Sequence, residues 1–196
     1  MVNCFNKNDS FYYGPELFGL VHYRNAAIVG SVLEILTLSG IIFISIILQT
    51  VYKITGLWST VFVLVIGVMV FIASILMMYG IVNENPKLIL PQIAILQIEI
   101  TVFVLIAILS IFSMSCGIGV TNYLFNFFIN VPEAEKNFGP IWPFNISGVG
   151  FVGSLVCIWF QRIVKSAYEY LLDKNYFEAL EGSNNNIEMT NNNKKK

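Results

Sequence analysis

Apolar residues along this chain neither alternate nor recur on a single face. They run almost unbroken through four segments, at about 26–48, 59–82, 88–112 and 141–164. Each segment is about 23 to 25 residues long, and about 20 residues suffice to cross a hydrocarbon core of ~30 Å as helix. In lipid every backbone N–H and C=O must be paired within the protein, so only helices or a closed barrel can span it. The runs are too long and too continuously apolar for barrel strands. The pattern predicts an all-α membrane protein, a four-transmembrane-helix bundle.

The connections between the runs are unequal. The first, 49–58, is short, and the second, 83–87, is a tight turn built on Asn85-Pro86. The third, 113–140, is the main loop on its side of the membrane and carries Tyr123, Phe125, Phe127, Phe128 and Phe138, with Trp142 at its end. Aromatics at a span boundary mark a headgroup belt; a partner-binding loop is the alternative. Past the fourth run, 165–181 reads as an amphipathic juxtamembrane helix with Tyr168, Leu171 and Leu172 on its apolar face and Gly182 as its stop. The Asn- and Lys-rich tail 182–196 has too few apolar residues to bury and is expected to be disordered.

Composition agrees with this reading. The 196 residues are 56% hydrophobic and 12% charged, with a mean hydropathy of +0.72. Ordinary soluble domains carry roughly 25% charged residues. A net charge of −1 gives no footprint for nucleic acid. Cys4, Cys116 and Cys157 lie too far apart for a disulfide framework or a zinc site, and His22 is the single histidine. No catalytic residue, metal ligand set or cofactor site is expected.

Lysine and arginine set the orientation. Lys7, Arg24, Lys87, Arg162, Lys165 and Lys174 fall on one side, against Lys53 and Lys136 on the other. The positive-inside rule then puts both termini, including the segment 1–25, in the cytosol. Residues 1–25 contain no apolar signal-peptide core, so the first span is expected to target the chain. Asn145-Ile-Ser147 lies too close to the membrane for ready glycosylation, and Asn8-Asp9-Ser10 is expected on the cytosolic side.

Two acids interrupt the spans, Glu34 in the first and Glu99 in the third. A carboxylate at a helix centre costs roughly 2.5–3.5 kcal/mol on insertion scales. Both spans run outward from the cytosol, which puts the two at depths of ~12 Å and ~17 Å at 1.5 Å per residue. At least one is expected to keep its proton at neutral pH. They form either a proton-sensing or proton-coupled site, or neutral hydrogen-bonding glue with Gln92, Gln97 or Thr37, at roughly 0.6–2 kcal/mol per bond.

Small residues mark helix-packing stripes. Ser147, Gly150, Ser154, Cys157 and Gln161 recur in the fourth span at spacings of 3 and 4, while Thr60, Gly67 and Ser74 recur every seven in the second. Ala27, Gly30, Glu34 and Thr37 repeat similarly in the first. Such stripes let membrane helices approach closely in a left-handed bundle; a stripe facing a lipid or small ligand is the alternative. Gly56-Leu57-Trp58 is similar to part of a claudin signature without its cysteine pair, and the main loop has no Cys-Cys-Gly of tetraspanins.

The string LFGLVHYRNAAIVG resembles the entry to the first span of the lysosomal-associated transmembrane (LAPTM) family, with His22-Tyr23-Arg24 followed by Gly30. The stretch FIASILMMYGIVNENPKLILPQIAILQIEI is similar to that family's second-span exit and third-span entry, through Ser74, Tyr79-Gly80 and Leu90-Pro91. Glu99 stands eight residues past that proline, where the family has an intramembrane acid. The resemblance covers roughly residues 18–180. It implies a late-endosomal or lysosomal four-span protein that is not an enzyme and that acts as an adaptor or regulator of other membrane proteins or lipids. The family's Pro-Pro-x-Tyr motifs are absent here, so the ubiquitin-ligase partner does not carry over, and the first loop is shorter than in vertebrate members. Tyr168-Glu169-Tyr170-Leu171 has the form of a tyrosine sorting signal, with a membrane-facing aromatic as the alternative.

The leading expectation is an endolysosomal adaptor that binds partner membrane proteins or a specific lipid within the bilayer, with Glu99 as its pH-sensitive element. A homo-oligomer and a plasma-membrane location are secondary expectations. A proton-coupled small-solute transporter subunit, with Glu34 and Glu99 as ligands, is the second reading. A structural tetraspan that organises membrane patches is the third.

Overall fold

The computed structural model describes the backbone of residues 22–193 and the side chains of residues 22–180. The expected cytosolic segment 1–25 and the end of the expected disordered tail therefore lie largely outside the described residues. Six α-helices follow in order: α1 (Tyr23–Thr50), α2 (Leu57–Val82), α3 (Leu90–Cys116), α4 (Ile118–Phe125), α5 (Val131–Phe138) and α6 (Trp142–Asn193). A 3-10 turn, Pro86–Leu88, leads into α3. Four of these helices are long and apolar enough to cross a membrane.

The helices overrun the hydrophobic runs because helical bonding does not stop at the hydrocarbon edge. It stops where the backbone turns. α1 begins where His22 Nδ1 accepts the Arg24 N–H at 3.2 Å, capping the first turn. The tight 83–87 turn uses Glu84 at φ 57°, after which Asn85 Oδ1 accepts the Lys87 N–H at 3.2 Å. α3 and α5 each end on a glycine, Gly117 (φ 87°, ψ 175°) and Gly139 (φ 75°, ψ 175°), in a region of backbone space that essentially only glycine occupies.

The 113–140 connection is not a plain loop. It folds into α4 and α5 and forms a lid over one end of the bundle. An antiparallel bridge between Thr55 and Ile129 ties the lid to the α1–α2 connection. The juxtamembrane helix continues the fourth span, because α6 passes straight through 165–181. Its backbone stays helical through Gly182 to Asn193, where a stop was expected. Extending an existing helix needs no new nucleus, so one glycine, at a cost of about 1 kcal/mol, need not end it.

α1 and α3 run in one direction, α2 and α6 in the other. Each helix packs on its neighbours in the ring α1–α2–α3–α6, and α3 against α6 is the most extensive pairing. Large apolar side chains are buried near the end that carries His22, where Met77, Ile81, Ile89, Leu96, Phe160 and Ile163 meet Tyr170 and Leu171. A second cluster (Ile54, Phe125, Val131, Ala134, Trp142) sits under the lid. Between the two, the buried positions are mostly small, Ser45, Thr60, Ala107, Ser110, Ser113, Ser147 and Ser154, with Val70 the larger exception. The bulky residues of the same stretches, such as Phe43, Phe62, Leu105 and Leu155, point outward. This is the inverse of a water-soluble bundle and suits a lipid surround.

Candidate functional site

The polar residues of the spans gather in the half of the bundle nearer His22. Glu34 projects from α1 toward α2 and α3. Gln92 Nε2 donates to both of its oxygens at 2.8 Å. Ser74 Oγ lies 2.6 Å from Glu34 Oε2 and 3.0 Å from the Val70 carbonyl one turn back on α2. Ser74 and Gln92 are fully buried, and the Gln92 carbonyl oxygen has no hydrogen-bond partner among the described residues. One carboxyl thus joins three helices.

Glu99 lies two turns beyond Gln92 on α3, where the Cys157 thiol of α6 approaches its carboxyl at 3.8 Å. A thiol is a weak donor, so Glu99 is held far less firmly than Glu34. Gln97 faces the other way. Its carbonyl accepts from Gln161 Nε2 at 2.9 Å on the exposed side of the α3–α6 pair. Thr37 is exposed and donates to the Leu33 carbonyl of its own helix at 2.8 Å, away from both carboxyls. Of the proposed glue residues the structure joins Gln92 alone to Glu34. Sequence reasoning placed Ser74 on a packing stripe and missed its bond to the acid. The signal was present, since Ser74 is the one hydroxyl of that stripe at a depth comparable with Glu34.

The stripe residues lie at close approaches. A Cβ on Gly30 would overlap the Phe160 ring of α6. One on Gly67 would meet Ile42 of α1 at 3.0 Å, and one on Gly150 would meet the Phe103 carbonyl and Ala107 of α3 at 3.0 and 3.1 Å. Ser147 and Ser154 are buried on the same side of α6.

The resemblance motifs lie at the His22 end, below the polar cluster. The His22 ring stacks edge-on against Tyr170 of α6 at 4.6 Å. Arg24 pairs with Glu84 at 3.5 Å. Lys174 also binds Glu84 and lies 3.6 Å from Glu178, and Asn175 Nδ2 donates to the Glu84 carbonyl at 3.5 Å. Glu84, which sequence reasoning overlooked, is therefore the joint between α1, the α2–α3 turn and the extension of α6. Its hydrogen bond holds the Lys174 ammonium above the ordinary lysine range, and burial does the same for the Tyr170 phenol. Gly80 is buried against this turn, where a Cβ would come within 2.8 Å of Leu88, whereas Tyr79 and Pro91 are exposed.

The tyrosine sorting motif is occupied otherwise. Leu171 is 1% exposed, and Tyr168 is half-buried against the same core cluster. Both lie on a continuous helix. The two side chains that a sorting adaptor would read are turned into the bundle, and packing is the role the structure gives them.

Four apolar helices around a buried, side-chain-bonded polar cluster define a multi-pass helical membrane protein. Within that class, the sequence is 31% identical over 173 residues to Protein cuti-1 of Caenorhabditis elegans, spanning 88% of this chain and 86% of that protein. The chain belongs to the cuti-1 family. No family model matches it, and no solved structure matches it.

Proposed function

We propose that this protein is an adaptor or regulator in the endolysosomal membrane, with both termini cytosolic, and that it works by binding the spans of partner membrane proteins or a lipid rather than by catalysis. The observation that carries this reading is the bond set around Glu34. Ser74 and Gln92 tie α1, α2 and α3 together across the interior, where a transport path would run. The bulky apolar side chains of the spans are meanwhile directed outward, toward whatever surrounds the bundle. The compartment rests on the LAPTM resemblance through His22-Tyr23-Arg24, Tyr79-Gly80 and Pro91. The orientation rests on the lysine and arginine asymmetry.

Glu99 is the pH-sensitive element in this reading, because its hydrogen bond among the described residues is a weak one, to the Cys157 thiol. Glu99→Gln should leave the fold intact and abolish a difference in partner or lipid binding between pH 5 and 7. Equal wild-type binding at the two pH values would sink the idea. A C-terminally tagged chain should co-localise with a lysosomal marker, and the tag should be reached by antibody after selective permeabilisation of the plasma membrane. Uptake by reconstituted vesicles driven by a pH gradient would instead select the transporter reading. Full function after both acids become Leu would select the structural tetraspan.

A further inference from the structure

We propose that Glu34 is a neutral carboxylic acid that gives its proton to Ser74, closing a one-way hydrogen-bond chain Gln92 → Glu34 → Ser74 → Val70 that locks α1, α2 and α3 together. The argument is a count of hydrogens. Ser74 carries a single hydroxyl hydrogen and stands within bonding distance of two acceptors, Glu34 Oε2 at 2.6 Å and the Val70 carbonyl at 3.0 Å. If Glu34 were ionised, it could only accept, so the Ser74 hydrogen would turn toward it and the Val70 contact would be a bare approach of two oxygens. If Glu34 is neutral, its O–H donates to Ser74 Oγ and Ser74 donates to Val70. Gln92 Nε2 lies 2.8 Å from both Glu34 oxygens and has two hydrogens, one for Oε1 and one for a lone pair of Oε2, so every close contact has a hydrogen in it. The short Ser74–Glu34 distance suits an acid O–H donor.

The surroundings point the same way. No lysine or arginine lies in the first three spans between Arg24 and Lys53, between Lys53 and Lys87, or from Lys87 to the end of α3. Among the described residues the titratable groups beside the cluster are Glu99 on α3 and Cys157 on α6, and α2 contributes the neutral Ser74. Neither Glu99 nor Cys157 can compensate a negative charge at Glu34. In hydrocarbon an uncompensated carboxylate gives up its charge before it gives up its site. The chain makes Glu34 a fixed structural acid and leaves Glu99 as the carboxyl free to respond to pH.

The test is infrared spectroscopy of the full chain in proteoliposomes at neutral pH, with carbon-13 in the glutamate side chains. The Glu99→Gln protein should keep a protonated-carboxyl C=O band. Adding Glu34→Gln should remove that band, and adding Ser74→Ala should move it to higher frequency by taking away the acceptor of the acid proton. Absence of the band in the Glu99→Gln protein overturns the proposal. So does a band that Glu34→Gln leaves in place, or one that Gln92→Leu shifts and Ser74→Ala does not. Should the double variants fail to fold, the wild-type protein is treated with dicyclohexylcarbodiimide. The acid proton passes to a reagent nitrogen, the carboxylate oxygen bonds the central carbon, and acyl migration leaves an N-acylurea that contains one whole reagent molecule. The expected adduct lies on the peptide that holds Glu34, and labelling of Glu99 without Glu34 refutes the proposal.

Discussion

Single residues decide how closely these helices can approach. Gly150 faces the Phe103 carbonyl and the Ala107 Cβ, so a Cβ on it has no flexible side chain to push aside. Gly148, two positions away, has open space around it. Gly150→Leu should therefore cost about 1–3 kcal/mol, the usual penalty for overpacking, whereas Gly148→Leu should be close to neutral. Reversible denaturation in mixed micelles compares the two. Similar losses at both positions would mean that α3 and α6 do not meet along this stripe. The stripe itself was legible in the sequence as a repeat of small residues. Which glycine touches a neighbour was not, because that depends on the rotation of each helix about its own axis. Thr37 makes the same point: it shares a stripe with Glu34 in the sequence yet is exposed and bonds to its own helix.

At the scale of elements, α6 is one helix doing two jobs. Its first half crosses the membrane, and its extension buries Ala167, Tyr170 and Leu171 under the bundle. The extension is pinned by Lys174 and Asn175 to Glu84. Partly exposed ion pairs contribute only about 0.2–1 kcal/mol each, so Glu84→Gln should barely change global stability. It should speed amide hydrogen exchange in residues 170–180, and unchanged exchange there would remove Glu84 as a joint. The Lys174 contribution has a defined sign. A lysine held above its ordinary range stabilises at every pH below that range and is lost only as pH rises through the raised value. Titration of Lys174 therefore contributes no change between pH 5 and 8, and an exchange difference in 170–180 over that window that disappears in Lys174→Met would contradict this. The lid has two unlike faces. Residues 113–132 carry no charge and expose Tyr123 (88%) and Phe127 (70%), while α5 presents Glu133 and Lys136 as an ion pair. An interfacial α4 predicts that Trp at position 123 is quenched by lipids brominated near the headgroup, and that Trp at position 136 is not. Equal quenching at both positions would favour the partner-loop reading.

On the scale of the whole molecule, the number of crossings, their order and their lengths follow from hydropathy summed along the chain. Transfer to lipid is a local property of about 20 consecutive residues and needs no knowledge of what lies opposite. An all-helical four-span protein with two acids near one depth is therefore legible along the chain. The helices α4 and α5, whose turns depend on packing against Ile54 and Trp142, are not legible there, whereas the amphipathic continuation past the fourth span is. That Glu34 meets Ser74 and Gln92 while Glu99 meets Cys157 depends on how the helices pack, and so does the way Glu84 draws Arg24 and Lys174 together from distant parts of the chain. The physical reason is that burial in lipid is set by composition along one axis, whereas a hydrogen bond needs two side chains within about 3 Å of each other. That requires the register and rotation of several helices at once, and these are fixed by the close approach of small residues and by the ring order of the bundle.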